Sequence, residues 1–533
     1  MATLARWLPA ALLGIVTFAL VLEVTEPFAP GLDPDALAYL GGAESLAAHG
    51  EFRTPSARWW NADSTASLSH FPPGYATAIA VPVRLGMEPI QGARLVAAAA
   101  AFVIVAALAL LVSDVAGTLA GVLLAVALFA MSSMHEVHVS VLSEPLYLAL
   151  TALTLAAMVR HPERPLLAGL GAALGALTRY AGVSLIAGVA LWSMAQGGTL
   201  ATRFRRALIA VAPAVVLQLL WLLRTRRVAG GTQSIRKLAL YGDFGPSLRQ
   251  AAATLEAWLI PDPDTWETVL PHRGALTVAA ALLLVVVTVA GAWRLRRRGT
   301  PSALEPEAHD PRAPGAARVL GATALLTGCY LAVLIVSRII ADAGIPFDER
   351  ILSPVILLCT TMAATGIALW WQSTPHDLPR IAVTGALLGW WMAAASVTRG
   401  EVRWAIVNGS DFANEEWRKS DLLDWARTEG ARHPLYSNWV AAVYFHLHRP
   451  ARDVPLRSES ARMAAFVDTL RVRDGRVLQF RVPGPEYVTL DSLLLVRGLR
   501  VVAERRDGVV LAPVSGAARP ALPPPAAPRS PRP

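Results

Sequence analysis

Long apolar blocks separated by short polar stretches run through the first 400 residues of the chain. A helix that crosses a bilayer needs roughly 20 apolar residues, and the blocks predict about eleven such helices. Residues 73–88 are also apolar, but the block contains Pro82 and is only about sixteen residues long, so a juxtamembrane or re-entrant piece is expected there. The predicted spans cover residues 7–24, 92–112, 115–131, 141–159, 165–178, 180–197, 207–223, 274–293, 317–340, 351–371 and 380–397.

From about residue 398 the pattern changes to the mixed polar and apolar sequence of a soluble domain. Helical periodicity covers residues 411–430 and 439–447, and short strands are predicted at 435–438, 477–482, 487–490 and 509–512. The predicted fold class is therefore mainly α, a polytopic membrane helical bundle with a small C-terminal α/β domain. Residues 1–400 form the membrane module with its first outer loop at 25–91, residues 401–515 form the α/β domain, and the Pro/Ala-rich tail 516–533 is expected to be disordered.

The charges of the short loops predict the orientation of the bundle. With the N-terminus in the cytoplasm, the basic stretches 160–164, 203–206 and 294–298 all fall inside, as the positive-inside rule requires. The first span reads as an uncleaved anchor. The protein is thus expected in the cell inner (plasma) membrane, with the first outer loop and the C-terminal domain on the periplasmic or extracellular side.

Composition agrees with a membrane protein and argues against two other classes. The chain is 54% hydrophobic and only 16% charged, where a soluble protein has about 25% charged residues. Its net charge of +9 comes mostly from arginines beside the apolar blocks, where lipid phosphates explain them better than nucleic acid does. Cys329 and Cys359 lie inside apolar segments and provide neither a zinc site nor a disulfide framework.

The first outer loop carries the strongest candidate chemistry. Asp33 and Asp35 flank Pro34 just before a predicted short helix at 35–48. Acidic residues favour a helix N-terminus for electrostatic reasons alone, so helix capping is the structural alternative to a catalytic role. Tyr39 and His70 in the same loop are candidate substrate-binding residues.

The same loop resembles that of a known enzyme family. The Asp-x-x-x-Tyr spacing from Asp35 to Tyr39, the small residues that follow and the turn at 71–74 resemble the first outer loop of the GT-C superfamily of glycosyltransferases. This superfamily includes protein O-mannosyltransferases and lipid A aminoarabinose transferases. The resemblance implies a polyprenyl-phosphate sugar donor and a catalytic aspartate just after the first membrane helix, which matches Asp35 better than Asp33. Ala36 stands where the aminoarabinose transferases often have a second acidic residue, which leaves the acceptor open.

Other outer loops supply further candidates. Glu144 opens a predicted span, a position where a carboxylate is costly and tends to be functional, although N-capping together with Ser143 is the alternative. The nearby histidines 135 and 138 lack the spacing of a zinc protease motif, so no metal ligand is assigned. Four basic and aromatic residues are candidates for phosphate or substrate binding: Arg179, Tyr180, Arg224 and Arg350. Contact with lipid headgroups is the alternative role for the arginines.

These features favour an integral-membrane glycosyltransferase that moves a sugar from a polyprenyl-phosphate donor to a lipid, glycan or protein acceptor. Asp35 would act as the general base, or would position the acceptor or a cation, and the arginines would hold the leaving phosphate. The membrane lipids would be the other partners. No cofactor is assigned with certainty, although a divalent cation is compatible with the acidic loop. The alternatives are a polytopic transporter or flippase of envelope components, and a non-catalytic membrane scaffold.

Overall fold

The computed structural model describes residues 4–228, 240–242, 244–261, 313–340, 344–482, 484 and 486–514, together with isolated positions 277, 281, 282, 288 and 289. The predicted tail at 516–533 lies outside the described residues, as does most of the predicted span at 274–293. Each of the other predicted spans overlaps a helix, but the helices at 165–178 and 180–197 are shorter than a bilayer crossing needs.

The membrane part is a bundle of helices around an apolar core that includes Leu111, Leu124, Leu155 and Leu357. Six of its described helices are long and apolar enough to cross a bilayer, so the chain is a multi-pass membrane protein. A bent pair with an angle of 66° at Met131 adds a candidate seventh span, α5 with α6. The helices of the first 408 residues are α1 (Leu4–Val24), α2 (Ala36–His49), α3 (Gly74–Arg84), α4 (Pro89–Ala116), α5 (Thr118–Ala130), α6 (Ser132–Val139), α7 (Glu144–Arg160), α8 (Pro165–Thr178), α9 (Val183–Ala195), α10 (Leu200–Val228), α11 (Gly245–Leu259), α12 (Ala313–Ile340), α13 (Glu349–Ser373) and α14 (Asp377–Asn408).

The apolar segment at 73–88 forms the short helix α3, as its length predicts. It has 11 residues with Pro82 inside, too few to cross a bilayer. Gly74 lies directly against the backbone of Leu177, where a side chain would clash, so the start of α3 is pressed onto the end of α8.

The C-terminal α/β part contains a six-stranded sheet in the order β2-β5-β4-β6-β8-β7. The first four strands of that order run parallel, and β8 and β7 pair antiparallel to their neighbours. The strands of the chain are β1 (Arg53–Thr54), β2 (Ser56–Ala57), β3 (Ala66–Ser67), β4 (Leu435–Ser437), β5 (Ala451–Asp453), β6 (Arg476–Phe480), β7 (Leu499–Arg505) and β8 (Gly508–Pro513). Its helices are α15 (Glu415–Arg418), α16 (Asp421–Arg427), α17 (Val440–Leu447), α18 (Met463–Arg473) and α19 (Leu490–Leu494), with 3-10 turns at Arg457–Arg462 and, in the bundle, at Tyr180–Gly182.

Three details of this part differ from the sequence prediction. The single helix expected at 411–430 is two helices, because the Ser420 side chain accepts a hydrogen bond from the Leu423 amide and starts a new one. The strand expected at 487–490 is wrong: Tyr487 makes only an isolated bridge, and the Thr489 side chain caps α19. Helix α14 passes the boundary expected at residue 400 and ends before Gly409, whose φ of 73° suits glycine.

The first outer loop joins the C-terminal sheet, which the sequence did not predict. Strand β2, from that loop, pairs in parallel with β5 at the edge of the sheet. Trp59 follows β2 and is 1% exposed inside the core formed with Tyr436, Phe466 and Leu470. The sheet and its core are therefore completed by a segment nearly 400 residues earlier in the chain.

Candidate functional site

Arg350 links three carboxylates that come from two different outer loops. Its Nη2 lies 2.8 Å from Asp35 Oδ2, its Nη1 lies 3.2 Å from Asp33 Oδ2, and its Nε pairs with Glu144. The start of α13 fixes Arg350, because the Asp348 side chain caps that helix by accepting the Ile351 amide at 2.9 Å. One planar guanidinium thus uses each of its nitrogens on a different acid.

A second arginine pairs with the same glutamate from the other side. Arg179 Nη1 lies 2.5 Å from Glu144 Oε1 and also donates to Ser143 Oγ at 3.0 Å. Tyr39 donates to the same Ser143 oxygen at 3.3 Å. The Glu144 side chain is only 2% exposed, so its ionised form depends on these two arginines.

The two aspartates at the start of α2 have different local roles. Asp33 Oδ1 accepts the Asp35 amide at 2.8 Å, which closes the turn around Pro34. Asp35 stands at the N-cap position, but its side chain makes no capping hydrogen bond and pairs with Arg350 instead. Helix capping, the structural alternative for Asp35, is therefore not what its carboxylate does in this structure.

Burial and neighbouring charges raise the pKa values of two groups in the loop. Burial, together with the negative charge of Asp35, raises the pKa of the Asp33 carboxyl above its usual range. Burial also raises the pKa of the Tyr39 phenol. Asp33 and Asp35 keep 29% and 32% of their side chains exposed, so a ligand from outside can reach both.

Three predicted residues lie outside this ion-pair cluster. Arg224 donates to the backbone carbonyls of Leu68 and Phe52 and packs over the Phe52 ring, so it fastens the first outer loop to α10. The His70 ring lies edge-to-face against Phe71, which in turn contacts the Tyr39 ring, so His70 is one layer behind the cluster. Tyr180 begins the 3-10 turn after Arg179, and about half of its side chain is exposed.

Sequence reasoning missed Asp411, an acidic group on the other side of Arg350. The Asp411 carboxylate lies beside Gly31 and is near enough to interact with Asp33 and Arg350. Burial raises the pKa of Asp411. Its only sequence signal is its position just after the last span, next to Gly409. Further acidic residues that interact with one another there are Glu136, Asp348, Glu349 and Glu401.

The described residues contain no group of three or more His, Cys, Asp or Glu side chains arranged to hold a metal ion. His138 donates a hydrogen bond from Nδ1 to the Met134 carbonyl at 2.6 Å, as a buried helix residue would. The cluster as it stands combines a partly exposed carboxylate with two arginines. Such a combination can accept a proton and hold an anionic group.

Known proteins resemble this chain in structure rather than in sequence. No family model matches it, and a search of curated proteins finds no match. Among solved structures, the arabinofuranosyltransferase AftD from Mycobacteria matches with a TM-score of 0.53 and 13% identity, over 94% of this chain and 41% of that one. ArnT from Cupriavidus metallidurans in the apo state matches with a TM-score of 0.48 and 15% identity, over 94% of this chain and 97% of that one.

A third match is an oligosaccharyltransferase from Archaeoglobus fulgidus, with a TM-score of 0.45 and 11% identity, over 88% of this chain and 68% of that one. Identities this low indicate a shared fold and do not by themselves transfer an activity. The chain therefore shares its fold with the arabinofuranosyltransferase AftD.

Proposed function

We propose that the protein is an integral-membrane glycosyltransferase that uses a polyprenyl-phosphate sugar as donor. The observation that carries this proposal is the ion pair between Asp35 and Arg350, beside the pair between Glu144 and Arg179. It puts a partly exposed carboxylate next to two guanidinium groups at the ends of membrane helices. Sugar transfer from a lipid phosphate needs both kinds of group at one place.

The reaction assigns one task to each group. The acceptor hydroxyl oxygen attacks the anomeric carbon of the sugar, and Asp35 takes the hydroxyl proton. The bond from that carbon to the phosphate oxygen breaks, and the polyprenyl phosphate leaves with the electron pair. Arg350 and Arg179 stabilise the charge that develops on the leaving phosphate, because guanidinium groups pair with phosphate through two parallel hydrogen bonds.

The remaining residues shape the site. Glu144 holds both arginines in place from the interior, and Tyr39 supports the same group through Ser143. Asp33 lies beside Asp35 and is suited to bind an acceptor hydroxyl. His70, Tyr180 and Arg224 act from the surrounding layer on the loop and the substrate. The reaction takes place on the outer face of the plasma membrane, and its acceptor is a lipid, a glycan or a protein.

A transfer assay in proteoliposomes tests the proposal. Purified protein is incubated with a radiolabelled polyprenyl-phosphate sugar and a crude envelope acceptor fraction, and both labelled acceptor and free polyprenyl phosphate are measured. Wild type is compared with Asp35→Asn. The matched control is Asp63→Asn, because Asp63 is in the same loop with 79% of its side chain exposed.

The proposal expects transfer by wild type and Asp63→Asn, and loss of transfer by Asp35→Asn. Transfer that survives Asp35→Asn unchanged removes Asp35 from the mechanism. Movement of the donor between leaflets without sugar release supports a flippase instead, and no donor binding at all supports a scaffold. Addition of EDTA to the same assay tests the divalent cation, since undiminished transfer rules out a requirement for it.

A further inference from the structure

Charged and aromatic residues next to strand β2 connect the first outer loop to the C-terminal part. Arg58 Nη1 lies 2.9 Å from Asp453 Oδ2, and Arg58 Nη2 lies 2.8 Å from Glu459 Oε1. The Trp59 amide donates to Asp453 Oδ1 at 2.9 Å, and its indole N–H donates to Glu459 at 3.3 Å. We call these four residues, Arg58, Trp59, Asp453 and Glu459, the clasp.

The clasp is too well enclosed to be an incidental surface contact. Arg58 and the two acids have side chains between 11% and 23% exposed, and Trp59 is 1% exposed. Arg462 covers the Trp59 ring at 4.8 Å from its centroid. Exposed ion pairs contribute little, but a buried, hydrogen-bonded pair fixes one geometry because breaking it leaves a charge without a partner.

A continuous line of contacts runs from the clasp to Asp35. Pro55 directly precedes β2, and its ring lies against Gly41 of helix α2 so closely that a Cβ there would overlap it. Tyr444 of the C-terminal part makes a hydrogen bond to Glu44, on the same helix. Helix α2 begins at Ala36, so the element that carries Asp35 at its start is held directly by Tyr444 of the C-terminal part and indirectly through Pro55 of the loop.

We propose that the C-terminal domain positions Asp35 for the reaction by holding the first outer loop through the clasp. Arg58, Trp59 and Asp453 are positioning residues that act through Pro55 and α2, not groups that touch the substrate. This inference rests on the proposed glycosyltransferase function for its kinetic consequence. Its structural part, the control of α2 by the clasp, stands without it.

The experiment breaks the clasp and then restores the strand pairing by another route. Arg58→Ala removes the ion pairs, and Arg58→Lys keeps the charge as the conservative variant. In an Arg58→Ala background, Ser56→Cys with Ala451→Cys places two thiols at paired positions of β2 and β5. Neighbouring strands lie about 4.8 Å apart, which is within the range that a disulfide bridges. Ser56→Cys alone in the same background is the matched control.

Two readouts are measured on the full-length protein in detergent or liposomes. Amide hydrogen exchange of residues 36–49 reports how firmly α2 is held, and exchange of β8 reports whether the C-terminal domain stays folded. Transfer kinetics report the turnover number separately from donor affinity. A displacement of a catalytic group by up to about 1 Å from its reactive position costs on the order of tenfold to 100-fold in turnover.

The proposal expects Arg58→Ala to lose the protection of α2 against hydrogen exchange and to lose at least about tenfold in turnover. The protection of β8 and the donor affinity should stay unchanged. Arg58→Lys should retain part of the turnover. Oxidation of the double-cysteine variant restores both α2 protection and turnover, and reduction abolishes the gain. An Arg58→Ala variant with the same α2 protection and the same turnover as wild type would overturn the proposal. If Arg58→Ala unfolds β8, the milder Arg462→Ala is judged by the same criteria. If wild type transfers no sugar, α2 exchange alone decides, so failure of the function and failure of the clasp remain distinct.

Discussion

Replacement of Glu144 by glutamine should destabilise the protein strongly, because it removes the acid shared by two arginines. The carboxylate is 2% exposed, and the Arg179 side chain opposite it is 15% exposed. Arg350 keeps Asp33 and Asp35 as partners, but Arg179 keeps only the hydroxyl of Ser143 among its described polar contacts. Loss of one partner from a buried pair costs about 3–5 kcal/mol, and we expect about 3 kcal/mol because the amide oxygen can still accept a hydrogen bond.

Equilibrium unfolding in mixed micelles, with increasing mole fraction of a denaturing detergent, measures this loss. Glu163→Gln is the control, because Glu163 has 62% of its side chain exposed beside weak surface ion pairs and should change the unfolding free energy by less than about 1 kcal/mol. A Glu144→Gln variant as stable as the control would refute the buried ion-pair cluster on which the site depends.

Three further predictions concern the first outer loop and the domain that holds it. Gly41→Ala should lower the melting temperature because its Cβ meets the Pro55 ring, whereas Gly389→Ala, with no atom near its Cβ, should leave it unchanged or slightly higher. Trp59→Ala should cost about 3–5 kcal/mol in the same unfolding assay, as removal of a fully buried aromatic does; a loss below about 1 kcal/mol would contradict its burial. Burial raises the pKa of Asp453 from 3.8 to about 6, so its contribution to stability is present below pH 3.8 and is lost as the pH rises through about 6. The unfolding free energy of wild type should therefore decline by up to about 3 kcal/mol between pH 4 and pH 7, whereas that of Asp453→Asn should not. Parallel pH profiles of the two proteins would contradict the raised pKa.

The sequence was sufficient for the membrane architecture because its signal is local and strong. Runs of apolar residues long enough to span a bilayer predicted the helices, and the length of the block at 73–88 predicted that it would not span. The arginine counts of the loops predicted that Asp35, Glu144 and Arg350 lie on one face of the bundle, and in the structure these three side chains lie together.

The pairings within the site could not be read from the sequence. Asp35 and Arg350 are 315 positions apart, and only the packed bundle decides which acid each arginine meets. The same limit applies to Arg224, because no sequence pattern indicates its contacts with the backbone of the first outer loop. Asp411 was overlooked because nothing around it in the sequence resembles a motif.

Strand β2 was missed for a different reason. Two residues carry no alternation of polar and apolar positions, so pattern analysis has nothing to detect. Its partner strand β5 has only three residues and was missed as well. Their pairing depends on contacts between segments separated by 394 residues, such as that from Trp59 to Asp453. The role of the C-terminal domain in holding the loop therefore emerges only from the folded chain.

The most direct test of the central claim compares the two neighbouring aspartates in a single-turnover transfer assay. Asp33→Asn and Asp35→Asn each remove one carboxylate that pairs with Arg350, so they change the charge of the site equally. If Asp35 is the general base, Asp35→Asn should slow sugar transfer about 100-fold or more, while Asp33→Asn keeps a measurable rate and both variants still bind the polyprenyl-phosphate donor. Equal rates for the two variants, or a faster Asp35→Asn, would contradict the assignment of Asp35 as the base.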